Sequence, residues 1–104
     1  MDQHSITFTV DLAKNTIHIN PKKTDAKPGD GVMFKSTNDT VHVDFQGAWP
    51  FTEPSGTIVV PGQGNTGYYH IAATAPEGLD DYTVSTAGGA TQAVGQIDIE
   101  PAHV

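Results

Sequence analysis

His42 and Asp44 stand two residues apart in the alternating run Val41-His42-Val43-Asp44-Phe45. On a strand, that spacing sends both side chains to one face. An imidazole from a neighbouring strand, with His70 the candidate, would complete a nitrogen-and-oxygen set for a divalent metal. The plainer reading is a solvated strand face, and it outweighs the metal site because no sequence signal sets the register between these strands. His4 would be third in the chain if Asp2 became the N-terminus. A free amine, two amides and an imidazole would then make a square-planar copper or nickel site. With Met1 in place that spacing is wrong, and His18 and His103 have no readable partner.

Nucleophilic and hydrolytic chemistry has little to work with. The chain has no Gly-x-Ser-x-Gly elbow, no His-Glu-x-x-His helix and no cysteine. Glu53, Glu77 and Glu100 stand alone in turns or at a strand end, without a visible carboxylate partner. The expectation is a protein that is not an enzyme. Trp49-Pro50-Phe51 holds the sole tryptophan, which suits either a hydrophobic plug over a long connection or, if exposed, a stacking platform for a sugar. Burial is the stronger reading, since aromatics in small domains mostly supply core area. Of Tyr68 and Tyr69, alternation exposes one. Thr86 to Gly95 is a run of small, uncharged residues around Gly88-Gly89; it lacks the spacing and the lysine of a phosphate loop and reads as mobile. Asn38-Asp39-Thr40 fits the N-glycosylation pattern.

The formal charge is −7, with five lysines and no arginine. Phosphate neutralisation, and with it nucleic-acid binding, is therefore excluded, and an anionic membrane surface is disfavoured. No apolar run approaches the ~20 residues that span a bilayer, and no signal sequence is present, though Met1 could replace a removed one. A protein partner would carry a basic surface.

The elements that must position these residues alternate apolar and polar from end to end. Ile6, Phe8, Val10 and Leu12 share one parity, followed by Ile17 and Ile19. Pro21 to Pro28 reads as a loop or irregular edge. Val32 and Phe34, then Val41, Val43 and Phe45, then Ile58 and Val60 form further inward sets. Tyr69 and Ile71, Tyr82 and Val84, and Val94, Ile97 and Ile99 complete the series. Thr74-Ala75-Pro76-Glu77 spells a capping box but starts at most one turn, because Gly78 follows. About eight short strands at this spacing, in 104 residues, predict a single antiparallel Greek-key β-sandwich covering 1–104.

Four segments carry a more particular resemblance: Ala26-Lys27-Pro28-Gly29-Asp30-Gly31-Val32-Met33-Phe34, Asn38 to Phe45, Pro61-Gly62 through Tyr82, and Asp81 to Glu100. In order and spacing they resemble the cupredoxins, the plastocyanin-like copper proteins, over roughly Ile17 to Ile99. The resemblance implies a cupredoxin-like sandwich and a periplasmic or extracellular setting. It also shows what is missing. Where the family places cysteine, histidine and methionine ligands of type I copper, this chain has Thr86, Gly89 and Ala93 or Val94. Val41 takes the place of the first histidine, and His42, one residue on, points away from the core by parity.

Three functions remain: a copper-free binding or assembly module without redox activity or cofactor, a sugar- or small-ligand-binding sandwich using Trp49 and an exposed tyrosine, or an engineered or decayed electron-transfer scaffold. The first is the leading expectation. Its contact surface would comprise Asn38, Asp39, His42, Trp49, Thr86, Gly88 and Gly89, with the loops around Asn38-Asp39-Thr40 and Thr86 to Gly95 sharing one end.

Overall fold

The computed structural model describes residues 1–101; His103 lies outside them. Among these described residues nine strands run in chain order: β1 Gln3–Asp11, β2 Thr16–Asn20, β3 Lys23–Ala26, β4 Gly31–Ser36, β5 Val41–Phe45, β6 Ile58–Val60, β7 Asn65–His70, β8 Gly78–Thr86 and β9 Gln92–Ile99. They form two sheets, ordered β2-β1-β4-β7 and β3-β9-β8-β5-β6. Among the described residues no helix is long and apolar enough to cross a membrane.

Alternation places the core. Ile6, Phe8 and Val10 from β1 and Val32 and Phe34 from β4 face Val41 and Val43 from β5, Tyr82 and Val84 from β8, and Ile97 and Ile99 from β9, all buried. The two sheets meet through aromatic rings. Tyr82 is fully buried and packs edge-on against Phe8 at 6.4 Å and Phe34 at 6.0 Å across the interface, and tilted against Phe45 at 5.5 Å within its own sheet. Such pairs each add about 0.5–1.5 kcal/mol beyond the area they bury.

Four features differ from the sequence expectation. The sheets are mixed, since β1 runs parallel to β4 and β3 parallel to β9; alternation reports which face is buried, not strand direction. The stretch from Pro21 to Pro28 contains β3, whose Thr24 and Ala26 turn inward although neither is a large apolar residue. Leu12 is 72% exposed because β1 ends at Asp11 and Leu12 already belongs to the turn closed by Asn15 N donating to Leu12 O. Val94 is 50% exposed because the inward seats of β9 are Ala93, Gly95, Ile97 and Ile99.

Gly95 explains the last case. It lies opposite Tyr82 in the β8–β9 ladder, and the ring lies across it. A Cβ at Gly95 would stand 2.7 Å from Tyr82 Cε1 and closer still to Cζ and the hydroxyl. Gly95→Ala is therefore expected to cost about 1–3 kcal/mol in urea denaturation, with a much smaller cost in a Tyr82→Leu background. The Tyr82 hydroxyl has no hydrogen-bond partner among the described residues, and burial pushes its pKa up. Tyr82→Phe is accordingly expected to shift stability by less than about 1 kcal/mol. A large loss would show that the phenol is satisfied after all.

Candidate functional site

One end of the sandwich gathers the loop residues that the sequence singled out. Val41 pairs with Thr86, so the β4–β5 loop carrying Asn38 and Asp39 adjoins the β8–β9 loop carrying Gly88 and Gly89. Asn38 fastens the first loop to β1: its Oδ1 accepts from Val10 N at 3.0 Å and its Nδ2 donates to Val10 O at 2.6 Å. Ser36 Oγ donates to Asp39 O at 2.5 Å. The β6–β7 loop packs beneath, where a Cβ on Gly62 would stand 2.6 Å from Asn38 O.

The β8–β9 loop is shorter than the run from Thr86 to Gly95 suggests. The ladder continues to Ser85 opposite Gln92, so Gln92 to Gly95 are already strand and only 87–91 form the loop. Thr86 and Thr91 close what remains. Thr86 N donates to Thr91 O at 3.1 Å, Gly89 N donates to Thr86 O at 2.8 Å, and Thr91 N donates to Thr86 Oγ1 at 3.4 Å. Gly89 holds φ of 72°, a left-handed turn that glycine adopts without a Cβ penalty. Thr91 is buried, and its hydroxyl donates to Asn15 Oδ1 in the β1–β2 turn.

This donor set does not fit type I copper, which requires a thiolate and two imidazoles. Thr86 offers a hydroxyl already engaged in closing its hairpin. Val41 opposite it is fully buried hydrocarbon, Gly89 has no side chain, and Ala93 and Val94 have no thioether. His42 faces outward, in one row with Val59 and Ser85.

The remaining candidates separate. His42 and Asp44 do share the outer face of the β5 sheet, but His70 lies on β7 in the other sheet, so the three never converge. Among the described residues no group of three or more His, Cys, Asp or Glu side chains could hold a metal. Trp49 sits at the far end of β5, its ring 5.6 Å from Phe45, and is therefore not beside the Asn38 and Gly89 loops. It is half-buried, edge-on to Phe51 at 5.3 Å and Tyr69 at 6.3 Å, with its Nε1 donating to Glu53 O at 2.6 Å. Tyr68, the exposed member of its pair, faces the other side of β7 from Tyr69 and Trp49.

Two histidine–carboxylate pairs went unread in the sequence, and both lie at this Trp49 end. Asp30 is buried and accepts from Asp2 N, Lys27 N and His4 Nε2, each at 3.0 Å. His4 is thus committed to a carboxylate on the loop before β4. Glu53 is not isolated: it accepts from His70 N and pairs with His70 Nδ1, both at 2.8 Å. Burial alone would raise both carboxyl pKa values, but the hydrogen bonds and the nearby imidazoles outweigh it and hold them below the ordinary 3.8 and 4.5. Asp80 goes the other way. Burial, then repulsion from Asp81, raises its pKa, and its Oδ2 has no partner among the described residues.

The sequence matches no protein-family model and no curated protein. Solved structures do match. A pseudoazurin from Sinorhizobium meliloti aligns at TM-score 0.55 and 20% identity over 98% of this chain and 77% of that one. A purple cupredoxin from Nitrosopumilus maritimus aligns at 0.54 and 9% identity, covering 90% and 98%. The copper-containing nitrite reductase of Thermus scotoductus aligns at 0.55 and 16% identity over 94% of this chain, which spans only 30% of that enzyme. These likenesses define the class of structure, a two-sheet all-β sandwich. The particular fold is that of the cupredoxins, here without a residue set for type I copper.

Two outcomes follow from where the histidines sit. Asp30 and Glu53 bind protons less tightly folded than unfolded, so each stabilises the chain above its ordinary range and loses that contribution as pH falls through the depressed folded value. Urea midpoints should drop on acidification below about pH 4, and Asp30→Asn should lower stability at neutral pH by about 1–3 kcal/mol while flattening that acid limb. Calorimetry with zinc(II) should reveal no stoichiometric site that depends on His42; a tight one would mean that His42 and Asp44 acquire a third ligand.

Proposed function

We propose that this chain is a binding or assembly module built on a cupredoxin scaffold, carrying neither copper nor electrons and performing no catalysis. The observation that carries this reading is Thr86. At the position where the scaffold would need a thiolate, a hydroxyl closes a hairpin with Thr91 instead. The loop end is then a surface rather than a pocket: Asp39, Gly88 and Gly89 are exposed and the backbone behind them is hydrogen-bonded. His42, half-buried on the adjoining face, extends it. Trp49 does not belong to this surface, so any contact through it is a separate one.

The sugar-platform alternative gains no support from the geometry. The indole nitrogen is already bonded to Glu53, and the exposed tyrosine faces away from Trp49.

With a charge of −7, the partner is a protein with a basic surface, drawn by a field that salt screens over about 8 Å at physiological ionic strength. Immobilised chain should retain such a partner from native extract at low salt and release it as salt rises. The double variant Asp39→Lys, Gly89→Trp should lose it, while Trp49→Phe should keep it. Salt-insensitive capture, or capture indifferent to the loop variant, assigns the contact elsewhere. One equivalent of copper(II) should give no intense blue colour; if it does, the reading is wrong.

A further inference from the structure

On one flank of the sandwich two strand edges face each other without a strand between them. β3 covers β9 only from Gln96 to Ile99, so among the described residues Gln92 to Gly95 have no hydrogen-bonded strand on that side. β2 is the terminal strand of its own sheet. Between them lies a slot of about 390 Å³ lined by Ile17, His18, Ile19, Lys22, Ala93 and Val94.

The ladder says which backbone groups point into it. Gln96 N donates to Lys22 O at 2.9 Å, so even-numbered residues of β9 direct their N–H and C=O toward the β3 side. Val94 and Gln92 continue that parity beyond the point where β3 stops. Their N–H and C=O groups therefore stand along the slot as an open edge, roughly 13 Å long at ~3.3 Å per residue from Gln92 to Gly95. An exposed row of unpaired strand groups is a template for another strand.

We propose that this slot is a strand-addition site for an extended acidic peptide. The peptide takes beside Gln92–Gly95 the seat that β3 takes beside Gln96–Ile99. One set of its alternate side chains meets Ile17, Ile19 and Ala93, which are apolar. Charge selects its composition: in a chain with twelve Asp and Glu residues, the slot lining contains no carboxylate, and Lys22 is its one permanent charge. An acidic side chain on the incoming strand pairs with Lys22 and meets no lining carboxylate. This surface is distinct from the loop end, so a loop end that binds nothing leaves it standing.

The test uses the full chain and a blocked hexapeptide of alternating valine and glutamate, with a valine–lysine peptide as control. The acidic peptide is expected to slow hydrogen exchange at the Val94 amide, and the basic one to leave it unchanged. Val94→Pro removes the donor without touching the β8 ladder, and should weaken binding about tenfold or more, the equivalent of one to two backbone hydrogen bonds. Lys22→Glu, a surface change that leaves the edge intact, should reverse the preference between the two peptides. The proposal fails if saturating acidic peptide leaves Val94 exchange unaltered, if Lys22→Glu leaves the preference as it was, or if sedimentation shows that a second copy of the chain occupies the slot.

Discussion

The Tyr82 ring lying across Gly95 is the contact on which the rest of the sandwich depends. It occupies the inward seat that a β9 side chain would otherwise fill and carries an aromatic bridge from Phe45 in its own sheet to Phe8 and Phe34 in the other. Phe34 continues the bridge to Phe51 and Tyr69, and these to Trp49. The irregular Gly47 to Gly56 connection is thus held by packing as well as by hydrogen bonds from Thr52 N to His70 O and from Ala72 N to Pro50 O. One glycine lets the two sheets share a single aromatic spine.

That spine separates two ends with different chemistry. The loop end is fastened by neutral groups, the Asn38 amide on Val10 and the Thr86–Thr91 closure, whose strength does not vary across ordinary pH. The Trp49 end is fastened by carboxylates gripping imidazoles and backbone N–H groups. Acid therefore loosens the Asp30 and Glu53 contacts and leaves the Asn38 and Thr86–Thr91 bonds as they are. The bonds that hold the proposed contact surface in shape contain no titratable group.

How much of this could be read from the sequence follows from what each signal physically reports. Where large apolar residues alternate, as in β4 and β5, the inward face was legible because burial itself writes the pattern. β3 was not, since Lys23 to Ala26 buries a threonine and an alanine and has no large residue to mark its parity. Val94 misled for the opposite reason: a glycine in the neighbouring inward seat erased the true parity and left an outward valine as the visible apolar residue. The loss of the copper ligands was plain, because a missing thiolate is a fact of composition. The pairs His4–Asp30 and Glu53–His70 were illegible, since each joins segments whose meeting is decided by strand order. That order also put His70 in the other sheet from His42 and Asp44, which spacing alone had allowed together.

The parallel ladder between β3 and β9 joins residues 23–26 to residues 96–99. Closing so large a loop carries an entropic cost before any contact repays it, which places this topology among slow, non-local folders with times of about milliseconds to seconds. During synthesis the early strands must wait, with Thr24 and Ala26 unsheltered, until the ninth strand leaves the ribosome. The sandwich therefore completes only after translation has delivered β9.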